Sequence, residues 1–292
     1  MCTREQQERY ANFYTDFAFK KLFGTEVNKS LLISFLNSPF DGEEVITDLT
    51  YLNAEQLGVG YTDRKAVFDV YCENEKGERF VVEMQKARQE YFKDRSVFYS
   101  TFPIRDYAEK GQWDYRLGKV YCIGILNFTF NDDEAENDPT RYRHTVMLTD
   151  QETKKVFYDK LTFIYLEMPK FVKTEAELLT LNDKWLYAMR HLATLFDRPQ
   201  ALQEVVFERF FEQAEIARFT PTELSEYEAS LKDFRDMFSV MNTAKNEGFE
   251  LGKEQGIALG LLKSARLLLS SGMTKEQVVA VLKLTDEMAA QL

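Results

Sequence analysis

The spacing of apolar residues predicts two short helices near the start of the chain. From Asp16 to Phe23 and from Lys29 to Asn37, apolar side chains recur three and four residues apart, which places them on one helical face. Ser38-Pro39 ends the second helix, because proline disfavours helical geometry in the residue before it.

A change to shorter, β-branched and aromatic segments predicts strands after these helices. The segments are separated by turn-forming residues and span Val45 to Asn53, Lys65 to Cys72 and Arg79 to Gln85. A helix is expected next, from about Ala87 to Lys110. Pro103 should bend this helix because it cannot donate its backbone hydrogen bond, and Gly111 should end it.

A continuous apolar run indicates the centre of a sheet. Val120 to Leu126 shows no alternation, which is typical of a strand that helices cover on both faces. Further strands are expected at Arg143 to Leu148 and Leu161 to Met168, and Pro169 marks the end of this core. The acidic segment from Asn131 to Pro139 predicts a solvated loop rather than a metal site, because nothing fixes its carboxylates in place.

From Thr174 onward the apolar spacing is helical throughout. Helices are expected over Leu178 to Leu195, over Pro199 to Phe211, and from about Pro221 onward. The pattern therefore divides the chain into three parts: an α/β domain over residues 1–172, an α-helical region over 173–245 and a glycine-repeat helical tail over 246–292.

Glycine recurs every fourth residue in the tail, at Gly248, Gly252, Gly256 and Gly260. In a helix this spacing forms one stripe without side chains, so that another helix can approach closely, although each glycine costs about 1 kcal/mol of helix propensity relative to alanine. The repeat predicts a homo-oligomer through this helix, and a flexible linker is the alternative. Thr274 and Gln277 then form a capping box that starts a last amphipathic helix.

The composition excludes several classes of protein. No uncharged apolar stretch reaches about 18 residues, the length of a membrane helix, and the first residues lack the apolar run of a secretory signal. A cytoplasmic protein without membrane association is expected. The only histidines are His144 and His191, so any metal must be held by oxygen. Cys2, Cys72 and Cys122 lack the spacing of a disulfide framework or a zinc site.

The net charge of −11 gives no support to nucleic-acid binding, because affinity for DNA comes largely from lysine and arginine. The charge is unevenly distributed: residues 1–130 hold 17 basic and 20 acidic side chains, a net charge of −3, and the remainder carries −8. If DNA is the ligand, binding should be weak, sensitive to salt and dependent on metal.

One predicted hairpin brings polar side chains together. If Glu75-Lys76-Gly77 forms a three-residue loop with Gly77 in the left-handed conformation, Phe80 faces Cys72 and Asp69 faces Glu83. Residues directly across a strand pair have Cβ atoms about 4.5–5.5 Å apart, and Gln85 joins them because strand side chains alternate.

The hairpin places two carboxylates opposite each other. Such a pair is unfavourable in a plain sheet and becomes favourable when a divalent cation bridges it. Asp69 and Glu83 are therefore candidate metal ligands, and the solvent face of an amphipathic hairpin is the alternative.

Several blocks of the sequence resemble the PD-(D/E)XK nuclease superfamily, specifically its group of recombination-promoting nucleases and transposases. The glycine repeat is similar to that of the group, and the order of the blocks along most of the chain makes the set specific. The blocks are Thr15 to Gly24, Phe68 to Val70, Val82 to Gln85, Lys93 to Tyr99 and Phe163 to Phe171.

This resemblance implies a restriction-endonuclease-like α/β core, with a mixed central sheet flanked by helices, followed by an α-helical C-terminal region. It also implies Mg²⁺-dependent hydrolysis of DNA phosphodiester bonds, with Mn²⁺ as a possible substitute, in recombination or transposition. Asp69 and Glu83 would bind the metal, and the main-chain carbonyl of Met84 would be a further oxygen ligand. The metal would activate water and offset charge on the phosphate.

The third catalytic residue departs from the broad superfamily. Gln85 stands where lysine is usual, although glutamine is a feature of the narrower group. Glutamine cannot accept a proton near neutral pH, so it is expected to orient the attacking water. Lys20 or Lys65 could reach the site from a neighbouring element. Asp16 is expected to cap the first helix rather than to bind metal.

Three residues beyond the hairpin are further candidates for DNA contacts: Arg88, Arg95 and Tyr99. In a helix the two arginines share one face and Tyr99 lies one turn beyond Arg95, which suits contacts with phosphates. The alternative is a solvated helix edge with Tyr99 in the core.

Two functions remain open from the sequence. A metal-dependent DNA endonuclease is favoured by the opposed carboxylates. A catalytically weak or inactive DNA-binding or regulatory protein, self-associating through its tail, is favoured by Gln85 and by the acidic charge.

Overall fold

The computed structural model of the chain describes residues 8–40, 45–56, 66–108, 114–130 and 138–292. Its helices are α1 (Asp16–Phe23), α2 (Lys29–Asn37), α3 (Phe92–Arg105), α4 (Leu181–His191), α5 (Val205–Ala214), α6 (Pro221–Ser270), α7 (Lys275–Leu282) and α8 (Asp286–Ala289). Its strands are β1 (Leu49–Tyr51), β2 (Glu55–Gln56), β3 (Ala66–Val67), β4 (Val70–Asn74), β5 (Arg79–Gln85), β6 (Val120–Leu126), β7 (Arg143–Thr149) and β8 (Val156–Glu167).

Within the described residues, six strands form one mixed sheet in the order β1-β4-β5-β6-β8-β7. The central strands β5, β6 and β8 run parallel, and the outer pairs β1-β4, β4-β5 and β7-β8 are antiparallel. Every residue of β6 is buried, as its continuous apolar run predicts. The expected α/β class with a mixed central sheet is therefore confirmed.

The register of the β4-β5 hairpin is the predicted one. Val70 pairs with Val82 and Cys72 with Phe80. The turn depends on Gly77, whose φ of 73° lies in the left-handed region that glycine adopts without strain. Because this turn has a fixed length, it determines which residues of the two strands face each other.

Helix α3 covers one face of the sheet. Phe92 and Phe102 of this helix belong to a buried cluster with Val81 of β5 and Cys122 of β6. The odd-numbered side chains of β5, on the same face as Val81, therefore lie beneath a helix.

Four helices pack around a second aromatic centre at the indole ring of Trp185 in α4. This ring contacts Phe23 of α1, Phe35 of α2 and Phe207 of α5, with ring centroids 5.7, 6.1 and 4.9 Å apart. The Tyr51 hydroxyl donates a hydrogen bond of 2.7 Å to the Phe23 carbonyl, which joins strand β1 to helix α1.

Several elements differ in length from the prediction. Helix α3 begins at Phe92 rather than near Ala87, and the expected helix end at Gly111 lies outside the described residues. Helix α4 begins later than predicted because Thr180 and Asp183 form a capping box, a short-range signal that apolar spacing does not contain.

The chain divides into two compact units, one ending at Lys232 and one spanning Asp233–Leu292. In the second unit, the end of α6 packs with α7 through Ala265, Val278 and Leu284. The predicted capping box of Thr274 and Gln277 is present at the start of α7.

The four glycines of the repeat lie within helix α6, and no atom would meet a Cβ added at any of them within 4 Å. The repeat is therefore helical and its stripe is open. Among the described helices, none combines the length and apolar character that a membrane crossing requires.

Candidate active site

The two opposed carboxylates lie at the open end of the β4-β5 hairpin. Asp69 immediately precedes β4, and Glu83 lies near the carboxyl end of β5. The Asp69 backbone N–H donates a hydrogen bond of 3.3 Å to Glu83 Oε1, and Asp69 Oδ2 accepts one of 2.8 Å from the Met84 backbone N–H. The backbone of each strand thus holds the carboxylate of the other.

The Met84 backbone extends this group of oxygen atoms. Its N–H points towards Asp69, and in a strand the N–H and the carbonyl of one residue point to the same edge. The Met84 carbonyl therefore faces the Asp69 side of β5, while the Met84 side chain is buried.

Gln85 and Arg95 approach Glu83 from the other side. Gln85 is buried, and its Nε2 donates a hydrogen bond of 3.3 Å to Glu83 Oε2. Arg95 of α3 places Nη2 at 3.7 Å from the same oxygen, close to the limit for an ion pair. Helix α3 therefore contributes a cation to a group that otherwise comes from the hairpin.

The carboxylates have too little positive charge around them. Burial, followed by the charge of Asp69, raises the pKa of Glu83 from its ordinary value of 4.5 to about 8, although Arg95 opposes this shift. Burial is also the main cause that raises the pKa of Asp69. Both shifts mean that the folded protein disfavours two charged carboxylates here unless a further cation is present.

Helix α1 brings an acid and a base close to Asp69. After burial, the charge of Asp16 raises the pKa of Asp69 and the charge of Lys20 lowers it. Lys20 Nζ lies 3.1 Å from Asp16 Oδ2, and both side chains are about half exposed. All three residues line an open cleft of about 730 Å³, so Asp69 is accessible from this side.

A much smaller cavity lies on the Glu83 side. It measures about 20 Å³, enough for one water molecule, and is lined by residues that include Glu83, Gln85, Arg95 and Tyr165. Gly124 lies between Glu83 and Tyr165 in the sheet register, and a Cβ there would be 3.0 Å from the Tyr165 ring. The absence of a side chain at Gly124 therefore helps to keep this space open.

Three expectations about neighbouring residues need correction or lie outside the described residues. Asp16 does not cap α1, because the side chain of Thr15 accepts the capping hydrogen bond from the Ala18 N–H at 3.2 Å. Arg88 does not share a helical face with Arg95, because α3 begins only at Phe92 and Arg88 lies in the irregular segment before it. Lys65 lies outside the described residues.

The solvent-face alternative for the hairpin is wrong. Only 14% of the Glu83 side chain is exposed, and the Gln85 residue is buried. Tyr99 of α3 is half-buried, and its ring packs edge-on against Phe68 with centroids 5.6 Å apart. Tyr99 therefore belongs partly to the core, as the alternative for this residue predicts, while it also lines the small cavity.

Several contacts at the site, as distinct from the residues that make them, could not be recognised in the sequence. Apolar spacing does not show that Arg95 pairs with Glu83, because this contact depends on the docking of α3. The same holds for Ser96, whose hydroxyl is 2.8 Å from that of Tyr165, and for Gly124, which lies inside a uniform apolar run.

The donor set suits a hard divalent cation. Within the described parts of the chain, no group of three or more histidine, cysteine, aspartate or glutamate side chains could hold a metal ion. Two carboxylates and a main-chain carbonyl remain, and Mg²⁺ accepts such a set because it commonly binds through one or two carboxylates and keeps several waters. The raised pKa values of both carboxylates fit the same ion.

Comparison with known proteins gives one match. A family model described as PD-(D/E)XK nuclease family transposase matches residues 13–244, which includes the hairpin and helix α3. Searches of the curated proteins and of the solved structures each found no match to the chain. Because the matched region covers well over half of the sequence, this protein belongs to the PD-(D/E)XK nuclease family transposases.

Proposed function

We propose that this protein is a metal-dependent deoxyribonuclease that hydrolyses phosphodiester bonds within DNA. The observation that carries the proposal is the pair of half-buried carboxylates, Asp69 and Glu83, held opposite each other with insufficient positive charge. Asp69, Glu83 and the Met84 carbonyl would hold Mg²⁺, and Mn²⁺ could replace it. The chemistry supplied by such an ion is Lewis-acid polarisation of the water and of the scissile phosphate.

Gln85 has the position and the polarity to orient the attacking water. Its Nε2 donates to Glu83, so its Oε1 is directed away from that hydrogen bond and can accept one from water. An amide does not accept a proton near neutral pH, so Gln85 aligns the nucleophile and does not deprotonate it. The cavity beside Gln85 has room for one water molecule.

Basic residues on both sides of the carboxylates would contact the DNA backbone. Lys20 lies on the open-cleft side and Arg95 on the α3 side. Exposed Arg88 and the predicted contact Lys65 would add to them, and Tyr99 would position Arg95, whose guanidinium lies 5.1 Å from its ring centre. Because the chain carries a net charge of −11, binding should be weak, and the contacts of lysine and arginine with phosphates should make it weaken further with added salt.

Gln85 also supports a second candidate function, an inactive DNA-binding or regulatory protein that keeps the fold. The two opposed, half-buried carboxylates disfavour this candidate, since a protein without metal would lose stability by retaining both. Incubation of supercoiled plasmid with the full chain decides between them. We expect nicked or linear DNA with Mg²⁺ or Mn²⁺, no cleavage with chelator, and none by Asp69→Ala. No cleavage by the parent protein with either metal would favour the inactive candidate.

We further propose that the protein forms a homo-oligomer through the glycine stripe of α6. We also propose that it acts in recombination or transposition. The open stripe runs from Gly248 to Gly260, and another helix can approach it closely. Light scattering on the full chain and on a chain ending at Asn246 tests this. If both proteins have the same number of chains per particle, the tail does not drive association.

A further inference from the structure

A groove lined by aromatic side chains lies at the start of α3, beside the candidate site. It has a volume of about 730 Å³, and its lining includes Tyr91, Phe98 and Tyr99. Two of these rings are unusually open for their type, because Tyr91 is 67% and Phe98 43% exposed. Exposed aromatic rings that converge on one groove provide flat surfaces on which another ring can stack.

The groove shares two lining residues with the small cavity beside the candidate catalytic group. Arg95 and Tyr99 line both the groove and the small cavity that contains Glu83. Arg95 Nη2 is 3.7 Å from Glu83, and its guanidinium lies 5.1 Å from the Tyr99 ring centre. Arg95 therefore lies between Glu83 and the groove, so a nucleotide in the groove would be close to the candidate catalytic group.

The aromatic rings are held in place from behind. Phe98 packs edge-on against buried Phe102, with centroids 5.3 Å apart, and Tyr99 packs edge-on against buried Phe68 at 5.6 Å. Rings that the core already positions lose little conformational freedom when a base stacks on them.

The charge of the groove favours a base over a phosphate. Its charged lining residues are Glu90, Asp94 and Arg95, so carboxylates outnumber cations. Backbone phosphates bind where lysine and arginine are in excess, because they must displace the counterions of DNA. A nucleobase is uncharged and has a π-face, and stacking on aromatic side chains is the usual means of binding unpaired nucleotides.

We propose that this groove binds an unpaired nucleobase next to the scissile phosphate, so that the preferred substrate is DNA with locally unpaired nucleotides. This inference rests on the proposed nuclease function and names its substrate class. Tyr91 and Phe98 supply the stacking surfaces, and Arg95 joins the groove to the catalytic carboxylates. Fully paired duplex cannot use these surfaces, because its bases are already stacked within the helix.

The test compares cleavage of two DNAs of identical sequence on the scissile strand, one fully paired and one with a central unpaired run. We expect the full-length parent protein, with Mg²⁺, to show a kcat/KM about tenfold higher on the unpaired DNA. The double variant Tyr91→Ala/Phe98→Ala should lose most of this preference. Phe157→Ala is the matched control, because Phe157 is an aromatic residue that is 79% exposed on β8, outside the groove.

A salt series separates stacking from backbone contacts. Aromatic residues release no counterions, so the double variant should keep the slope of log kcat/KM against log salt that the parent shows. A shallower slope in the variant, or an equal loss on both DNAs, would overturn the groove as a base-binding site, as would equal cleavage of both DNAs by the parent.

Binding distinguishes the failure of this inference from the failure of the nuclease function. If the parent cuts neither DNA, the nuclease proposal fails. Fluorescence anisotropy with the same two DNAs then tests whether the groove binds unpaired bases. Tighter binding of the unpaired DNA, lost in Tyr91→Ala/Phe98→Ala and kept in Phe157→Ala, supports the groove. Equal binding of the two DNAs contradicts it.

Discussion

Two glutamates with little or no exposed side-chain area lie near the carboxyl ends of parallel strands on either side of β6, and their surroundings differ. Glu167 of β8 has no exposed side-chain area, and its Oε2 lies 2.5 Å from Lys170 Nζ and 3.3 Å from His144 Nε2. Its Oε1 accepts a hydrogen bond of 2.5 Å from the Phe130 N–H. Glu83 of β5 instead faces a second carboxylate, Asp69.

The two glutamates differ in how their negative charge is compensated, and this suggests different roles for them. A buried charge is tolerated when a nearby opposite charge and hydrogen bonds compensate its lost hydration. Lys170 compensates Glu167 within the protein, whereas the more distant Arg95 leaves Glu83 with a raised pKa. Glu167 is therefore part of an internal ion pair, whereas Arg95 lies farther from Glu83, at 3.7 Å, and the proposed metal ion would supply the missing positive charge.

The largest expected effect is on catalysis at the Glu83 group. Asp69→Ala and Glu83→Ala each remove a proposed metal ligand. Each should therefore lose several kcal/mol of transition-state stabilisation, which lowers the cleavage rate at least about a thousandfold. Plasmid cleavage with Mg²⁺ measures this. Glu73→Gln is the control, because Glu73 lies in the same hairpin and pairs with Arg79. Parent-like rates in both alanine variants would show that the site is elsewhere.

The next largest effect is on stability at the Glu167 group. Glu167→Ala leaves Lys170 buried without its partner, which should lower the free energy of unfolding by about 3–5 kcal/mol. Urea unfolding measures the change, and Glu167→Gln, which retains an acceptor for the Phe130 N–H, should lose less. If Glu83→Ala destabilises the metal-free protein as much as Glu167→Ala does, the two groups do not differ as described.

The Glu83 group should also make the stability of the metal-free protein depend on pH. The pKa of Glu83 is raised in the folded state, so its stabilising contribution is complete below 4.5, the ordinary value, and is lost as pH rises through about 8. Glu83→Gln should remove this dependence and stabilise the protein at pH 8 by at least about 1 kcal/mol.

Thermal unfolding between pH 5 and pH 8, with chelator, checks this dependence. Added Mg²⁺ should raise the melting temperature of the parent at pH 8 and should not raise that of Glu83→Gln, which has lost a charged ligand. The same pH dependence in the parent and in Glu83→Gln would assign it to other groups.

The smallest expected effect is at Gln85. Gln85→Ala removes a hydrogen bond to Glu83 and the water acceptor, so cleavage should fall roughly 10- to 100-fold, less than after loss of a carboxylate. Gln85→Lys introduces an ammonium that can stabilise charge on the phosphate, and activity should persist or rise. Single-turnover cleavage rates compare the two, and a loss in Gln85→Lys as large as in Asp69→Ala would contradict this role.

The hairpin illustrates how much the sequence could predict. The spacing of Gly77 from both strands and the alternation of side chains were sufficient for the register that sets Asp69 against Glu83. The bounds of α1, α2, β5 and β6 were likewise predictable, because apolar periodicity and proline act over short distances. The start of α3 was not, since the segment from residue 86 to 91 has helical composition and yet lies outside the helix.

The sequence by itself thus determined the central strands β5 and β6, the pairing of β4 with β5 across a short turn, and the opposed carboxylates, because these depend on local geometry and on contacts between neighbouring segments. The strand predicted over Lys65 to Cys72 is instead divided into β3 and β4, which lie in different sheets. Only the tertiary structure decided that α3 covers the polar face, that Arg95 reaches Glu83, and that the Phe130 N–H donates a hydrogen bond to buried Glu167. Burial and counter-charge arise from segments far apart in the chain, and the periodicity of a single segment carries no information about them.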